Sequence, residues 1–394
     1  MFDFHYYTPT KVIFGRGAEG SVAALIREFG GSKVLVHYGG GSVVRTGLLK
    51  KTTDLLEAAG IPYVTLGGVV PNPRLSLVYE GIALCRKENV DFLLAVGGGS
   101  TIDSAKAIGY GAANEGDVWD FYDYKRKAAA CLPIGVILTL AATGSEMSDS
   151  SVITREEGRI KRGYNSDLCR PKFAIMDPEL TMTLPDYQTC AGCADILMHT
   201  MERYFTSGHK MEITDALAEG LLRTVMKYAA ILHRDPSNYV ARAEIMWCSS
   251  LSHNGLTGCG NDANDFASHR LEHELGAIYN VTHGAGLTAV WGSWARYVYK
   301  NCMPRFVKFA TNVMGVVPAA TDEETALMGI AGMEGFFRLI AMPVTIPELL
   351  GRNLSEEEVL RLAHNCALAT GGKVGSAMSL NEADMAEIYR MANK

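Results

Sequence analysis

Residues 92–112 read FLLAVGGGSTIDSAKAIGYGA, and they decide the architecture of the first half of the chain. Phe92 to Val96 is an unbroken apolar run of strand length, as expected for a strand buried on both faces. Gly97, Gly98, Gly99 and Ser100 turn the chain, and the spacing from Ile102 to Ala112 predicts a helix, which Ser100 or Asp103 could cap. Working outward, Lys33 to Tyr38 (KVLVHY) is a second apolar run, and it ends in Gly39, Gly40, Gly41 and Ser42. A helix is predicted over 48–59, a strand over 62–66, a helix over 75–88, and strands over 134–138 and 173–176. Continuous apolar strands alternating with helices indicate a parallel sheet covered on both faces, with ligands at the carboxyl ends of its strands. A strand, a GGGS turn and a helix in succession bring bare backbone N–H groups and a helix N-terminus to a point that a phosphate can approach. One such turn is as readily a plain tight turn, but two on neighbouring strands point to a nucleotide. Neither has the GxGxxG spacing, so the turns leave the cofactor's identity open.

From Pro185 onward strand-like runs cease. Helical periodicity is predicted over 188–205, 212–232, 239–251, 266–278, 286–299, 323–340 and 356–369, with short Gly, Pro, Asn or Asp breaks between. The expected organisation is an α/β domain over 1–184 and an all-α domain over 185–394. The boundary, DPELTMTLPDY, is no flexible linker, which predicts two tightly packed domains enclosing a cleft.

The second half holds a crowd of histidines. Residues 267–286 read ASHRLEHELGAIYNVTHGAG and contain His269, His273 and His283, in a chain with 10 histidines among 394 residues. His269 and His273 are four apart and share one helix face; His283 follows a turn. Upstream, in CADILMHTMERYF, Asp195 and His199 are again four apart. Two helices each offering ligands at this spacing can close one divalent site from Asp195, His199 and two of the three later histidines, an O/N set suited to Fe(II) or Zn(II). A single histidine on an apolar face is more often a satisfied core residue. Three packed together would repel on protonation and gain little from burial when neutral, so the cluster points to a metal.

Composition narrows the classes further. Hydrophobic content of 48% with 20% charged residues describes a globular protein, and a net charge of -6 without a basic tract argues against nucleic acid or an anionic membrane as partner. No apolar run approaches the ~20 residues that cross a bilayer. MFDFHYYTPTKVIFG lacks the marks of an export signal, so a cytoplasmic location is expected. Nine scattered cysteines are expected to be reduced thiols. Cys190 and Cys193 form one CxxC with no second pair to complete a four-cysteine site, and are read as coincidental helix packing.

FGRG near the start, PNP at 71–73, AVGGGSTIDSAK at 95–106, TLAATGSEMSDSSVIT at 139–154, the Asp195–His199 pair and HRLEHELGAIYNVTHGAG together resemble the iron-containing (group III) alcohol dehydrogenase family, in its butanol dehydrogenase and broad aldehyde reductase branch. The likeness covers essentially the whole chain. It implies a dehydroquinate synthase-like fold, with a nucleotide-binding α/β domain, a helical domain, and a divalent metal in the cleft between them. Asp195, His199, His269 and His283 stand at the family's ligand positions. His273 matches a neighbouring non-ligand histidine linked to proton relay or nicotinamide placement. Gly97, Gly98, Gly99 and Ser100 match the pyrophosphate loop, with Asp103 just behind it. Asn72, Thr139, Thr143, Ser145 and Lys161 align with other cofactor contacts. NAD-preferring relatives often place an Asp where Gly39 stands, to accept from the adenosine ribose and repel a 2′-phosphate. Gly39, Gly40, Gly41 and Ser42 instead offer donors to an anion, which favours NADP(H) over NAD(H).

The activity implied is metal- and NAD(P)H-dependent interconversion of primary alcohols and aldehydes, by a homodimer. Three other readings compete with it. A metal-dependent hydrolase or lyase could use the same Asp and His ligands, leaving the glycine turns as plain structure. A non-catalytic sensor would need a closed ligand set. The glycerol dehydrogenase-like branch shares the architecture but not the long histidine motif. Trp247, Phe266 and Tyr279 are candidates for an apolar substrate chamber.

Overall fold

The computed structural model describes residues 1–206 and 210–394. The chain forms two compact units, one of residues Tyr7–Thr183 and one of Leu184–Lys394 with Met1–Tyr6. The first six residues, expected in the α/β domain, belong instead to the helical unit, where the Phe2 N–H donates to the Gly260 carbonyl at 3.0 Å.

The first unit is built on a six-stranded sheet. Its strands are β1 (Lys11–Phe14), β2 (Val34–Gly39), β3 (Tyr63–Val69), β4 (Phe92–Gly97), β5 (Ile134–Leu138) and β8 (Phe173–Met176), in the order β1-β8-β5-β4-β2-β3. Every neighbouring pair is parallel. Two further strands, β6 (Ser150–Arg155) and β7 (Ile160–Asn165), pair antiparallel as a separate hairpin. All six residues of β4 are buried, as its unbroken apolar run requires, and each fully buried Leu or Phe there contributes about 2 kcal/mol. One face of the sheet packs Val34, Val36, Phe92, Leu94, Ile137, Phe173 and Ile175 into a single core with the helix Val22–Glu28. Phe173 stacks on Phe92 at 5.9 Å between centroids, over Gly135, whose missing Cβ would lie 2.1 Å from the Phe173 ring.

The central helix, Gly99–Ala113, leans closely on Leu75–Glu88. A Cβ on Gly81 would meet Ile108 at 2.3 Å, and one on Gly111 would meet Ile82 at 2.1 Å. Small residues at reciprocal positions let the two helix axes approach, and that fixes where the N-terminus of Gly99–Ala113 points. The expected caps of this helix are not found. Its N-cap is Gly98, with no side-chain cap, because Asp103 sits past the first turn and its carboxylate faces Ser145 and Val152 instead.

The second unit is helical apart from short 3-10 turns and one isolated bridge, Val374 to Leu380. Its axis is the helix Asp186–Tyr204, buried throughout from Thr189 to Tyr204, as a helix surrounded by others must be. Around it pack Glu212–Leu232, Tyr239–His253 and His283–Val298. Phe205, Phe306, Trp294 and Phe309 form an aromatic cluster at its far end, Phe205 stacking on Phe306 at 4.2 Å. Beside them Arg305 grips Asp215 through both terminal nitrogens at 2.7 Å. The helices Asp322–Leu339 and Glu356–Ala369 each begin with a capping box, from Thr321 with Glu324 and from Ser355 with Glu358. The unpredicted helices are Val22–Glu28, Met303–Asn312, Ile346–Leu350 and Glu382–Ala392, along with two single turns, Ser42–Arg45 and Trp119–Tyr122.

Candidate metal centre and phosphate cradle

In the helical unit, three helices bring the predicted ligands together. Asp195 and His199 project from Asp186–Tyr204, and His269 from Ala267–Tyr279. Asn280 closes that helix in the left-handed region (φ 54°), where asparagine is tolerated better than most residues. The chain then reverses, so that His283 opens the next helix. Asp195 Oδ1 is the hub. It lies 3.4 Å from His199 Nδ1, 3.6 Å from His269 Nε2 and 3.7 Å from His283 Nε2. Oxygen and nitrogen ligands about 2.1 Å from one first-row ion stand about 3.4 Å apart in a tetrahedron. The spacing around Asp195 Oδ1 fits a metal and is too long for hydrogen bonds; the ligand atoms of Asp195, His199 and His269 lie within 4.8 Å of one another, while His283 is close to Asp195 without joining that mutual group. Asp195 Oδ1, His199 Nδ1 and His269 Nε2 are indeed buried with no hydrogen-bond partner. Buried polar atoms left in that state at one point are what a missing cation leaves behind.

The charges lead to the same result. Asp195, Glu202 and Glu272 are 2%, 0% and 0% exposed, and buried carboxylates are costly without a positive partner. Glu202 bonds His269 Nδ1 and also accepts from its backbone N–H; Glu272 bonds His283 Nδ1. Each carboxylate fixes its ring so that Nε2 faces Asp195, the usual support for a metal-bound imidazole. Burial, and then the neighbouring His253 and His269, hold the His199 imidazole well below its ordinary range and keep it neutral. Burial also opposes charge on His269, but Glu202 and Asp195 outweigh it and raise the group to about 9.

His273 is buried beside this set, its ring 5.9 Å from that of His283. The sequence reading missed Glu202, Glu272 and His253, the last stacked on His199 at 4.1 Å. The two glutamates lie on ligand-bearing faces, seven residues after Asp195 and three after His269, and that spacing was the available signal. His253 stands alone in its helix and offered none. Phe266 meets His269 edge-on at 5.4 Å. Of the other chamber candidates, Trp247 is 39% exposed on the surface, and the Tyr279 hydroxyl donates to Glu358. Gly284 sets the depth of the cluster, since a Cβ there would lie 1.9 Å from the Ala191 carbonyl oxygen.

In the α/β unit, the loop after β4 is closed over by the chain after β5. The Thr139 N–H donates to the Gly97 carbonyl at 3.0 Å. A Cβ on Gly97 would strike Thr101 Oγ1 at 2.3 Å, and one on Gly99 would strike Thr143 Oγ1 at 2.4 Å. Ser100 lies in the first turn of the following helix. Ser145 Oγ donates to Asp103 at 2.6 Å, and Lys106 Nζ donates to Ser145, Ser148 and Ser150. Asp103 and Ser145 are therefore engaged with each other inside the unit. Burial pushes the Asp103 carboxyl up against the pull of Lys106.

Asn72 adopts φ 56° in its PNP turn. That turn adjoins the hairpin, because the Thr154 N–H donates to the Pro73 carbonyl at 2.8 Å and Thr154 is paired with Lys161. At the second glycine turn, Gly39 ends β2, Gly41 has φ 152°, and Ser42 begins a short helix running to Arg45. Among the described residues, no helix is long and apolar enough to cross a membrane. All nine cysteines are free thiols. Burial raises both Cys190 (to about 12) and Cys193, the opposite of what a redox-active CxxC needs.

A parallel sheet with glycine turns at its strand ends, together with a helical unit carrying an Asp and three converging histidines, describes a two-domain, metal-dependent nucleotide enzyme. Residues 9–178 match the family model of iron-containing alcohol dehydrogenase, and residues 189–393 match that of the C-terminal domain of the Fe-containing alcohol dehydrogenase family. The chain belongs to the iron-containing alcohol dehydrogenase family. It is 39% identical over 391 residues to NADH-dependent butanol dehydrogenase A of Clostridium acetobutylicum, covering 99% of each chain. It is 34% identical over 379 residues to an NADPH-dependent aldehyde reductase of Escherichia coli, covering 93% of this chain and 96% of the relative. Its fold superposes on the crystal structure of NADH-dependent butanol dehydrogenase A from Thermotoga maritima with a TM-score of 0.96 at 38% identity, covering 100% and 99% of the two chains.

Proposed function

We propose that this chain interconverts short primary alcohols and aldehydes with a nicotinamide cofactor and one divalent ion, Fe(II) or Zn(II), held by Asp195, His199, His269 and His283. The observation that carries the reading is the convergence of unsatisfied buried ligand atoms on Asp195 Oδ1. When bound, the ion supplies Lewis-acid stabilisation of the negative charge that develops on the substrate oxygen. Glu202 and Glu272 keep His269 and His283 aimed at it. Gly97, Gly98, Gly99 and Ser100 bind the pyrophosphate through backbone N–H groups, and Asn72, Thr139, Thr143 and Lys161 border the same end of the unit. His273, next to the ligands but outside their set, carries a proton between the substrate oxygen and solvent. His273→Ala then retains its metal by elemental analysis while turnover falls about a hundredfold. Loss of metal in that variant would reassign His273 as a ligand.

NADP(H) is the preferred cofactor in this reading. Besides the absence of a carboxylate at Gly39, a Cβ on Gly41 would lie 2.9 Å from Arg45 Nη1, so a guanidinium overhangs the turn that would receive a 2′-phosphate. The relatives allow either outcome, since the clostridial enzyme is named for NADH and the Escherichia coli enzyme for NADPH. The hydrolase or lyase alternative gains no support, because the family matched across both units is one of alcohol dehydrogenases. A homodimer is expected, and sedimentation tests it. The decisive assay follows NADPH or NADH oxidation with butyraldehyde, using enzyme stripped by chelator and resupplied with Fe(II) or Zn(II). Metal-dependent oxidation supports the reading, and the ratio of the two cofactor rates tests the preference. No oxidation of either cofactor by the metal-loaded enzyme would overturn it.

A further inference from the structure

A second set of ligand-type side chains lies on the helical unit, apart from the histidine cluster. Asp186 is the first residue of Asp186–Tyr204, Cys190 stands one turn further along, and His233 follows the last residue of Glu212–Leu232. Cys190 Sγ is 3.4 Å from Asp186 Oδ1 and 3.6 Å from His233 Nδ1, and His233 Nδ1 is 2.9 Å from Asp186 Oδ2. One atom from each lies within 4.8 Å of the others. Around a tetrahedral zinc ion, with Zn–S about 2.3 Å and Zn–N or Zn–O about 2.0 Å, sulfur stands about 3.5 Å from the other ligands, and N and O stand about 3.3 Å apart. Both sulfur edges already have that length. The third contact, from His233 Nδ1, is a hydrogen bond to the other carboxylate oxygen, Oδ2, so Asp186 turns one oxygen toward each of its two neighbours.

We propose that Asp186, Cys190 and His233 form a second metal site, selective for a thiophilic divalent cation such as Zn(II), with water as the fourth ligand. Thiolate, imidazole and carboxylate together are a borderline-soft set that suits zinc and disfavours magnesium or calcium. Cys190 is buried at the bottom of the site, while Asp186 and His233 are partly exposed above it, which gives an ion a way in from solvent. The charged neighbour is Arg242. It is anchored by Nη1 to Thr189 Oγ1 and by Nε to the Pro236 carbonyl, both at 2.9 Å, and its charge offsets part of the upward push that burial and Asp186 give the Cys190 thiol. Zinc here clasps the start of one helix to the end of the next, a structural role independent of turnover.

The inference does not rest on the proposed alcohol dehydrogenase reading, because the Asp195 cluster contains no sulfur. Protein stripped of metal is titrated with Co(II) under anaerobic conditions. A thiolate-to-cobalt charge-transfer band in the near ultraviolet reports sulfur ligation, which the sulfur-free histidine cluster cannot give, and the Cys190 variant assigns it to this site. The expected result is a band that reaches its plateau by two equivalents in the wild type, once both sites are filled, and is absent in Cys190→Ser, with bound zinc falling by one ion per chain and aldehyde reduction unchanged. His233→Gln, which keeps the thiol, weakens Co(II) binding at the same band and serves if Cys190→Ser does not fold. No band in the wild type would show a purely hydrogen-bonded trio, and a band that survives Cys190→Ser would place the thiolate elsewhere; either result overturns the proposal.

Discussion

The glycine cradle of the α/β unit and the histidine cluster of the helical unit are built in opposite ways. The phosphate cradle is made of backbone and of missing side chains: Gly97 and Gly99 leave room that Thr101 and Thr143 already press upon. The histidine cluster is made of side chains, with backbone only as scaffold, and each ligand or its carboxylate partner is buried. The first kind of site is damaged by adding atoms and the second by removing them. It follows that the same conservative substitution, one methyl group more or one charge fewer, has different consequences in the two units.

The sharpest break is Asp195→Asn, which takes the hub from three histidines. Metal content should fall to background and turnover by at least about a thousandfold, equivalent to about 4 kcal/mol, while NADPH binding by fluorescence stays intact. Loss of both functions together would show that the two features are not separately built. Next comes a pH effect in the α/β unit. Burial drives the His37 imidazole down to about 4 despite its bond to the Leu66 carbonyl, and its other nitrogen faces Ser104 of the cradle helix at 2.9 Å. An imidazole depressed in the folded state stabilises fully above its ordinary value near 6.5, and that stability drains away as pH falls toward 4. The loss amounts to about 3 kcal/mol, and His37→Gln should flatten this part of the pH–stability curve. An unchanged curve would mean that other groups govern acid unfolding.

Smaller again is Glu202→Gln, which keeps the shape and removes the charge behind His269. Metal affinity should drop about tenfold to a hundredfold, by competition with a chelator; an unaffected affinity would leave Glu202 without a supporting role. Gly99→Ala sharpens the other side. The added methyl meets Thr143 Oγ1 at 2.4 Å, and cofactor KM should rise about tenfold with metal content unchanged. A normal KM would show that the phosphates bind elsewhere.

Much of this was legible in the sequence, for identifiable reasons. β4, β5 and β8 are short apolar runs closed by glycine, lysine, proline or aspartate, so their limits fall within a residue of the expectation. β1, Lys11–Phe14, escaped because it is an edge strand of four residues, two of them exposed, with neither a continuous run nor a clean alternation. Histidine is rare enough that its crowding was visible. Glutamate is common on helix surfaces, so Glu202 and Glu272 passed as ordinary charges although the fold buries both. The capping role expected of Asp103 failed because the helix starts three residues earlier than its apolar spacing suggests, at Gly99. Cys190 was read only as half of a CxxC without a second pair, and its contact with His233, 43 positions away, was not visible in the sequence.

Lys106 has a consequence of another kind. Its ammonium is fully buried and meets five oxygens from Ser145, Ser148 and Ser150 at 2.7 to 3.2 Å. A ring of carbonyl and hydroxyl oxygens is how many proteins hold potassium, and here the cation is tethered to the chain and never dissociates. The loop after β5 therefore takes its shape from a helix of its own unit rather than from the surrounding salt. Changes in the surrounding sodium or potassium leave its geometry untouched.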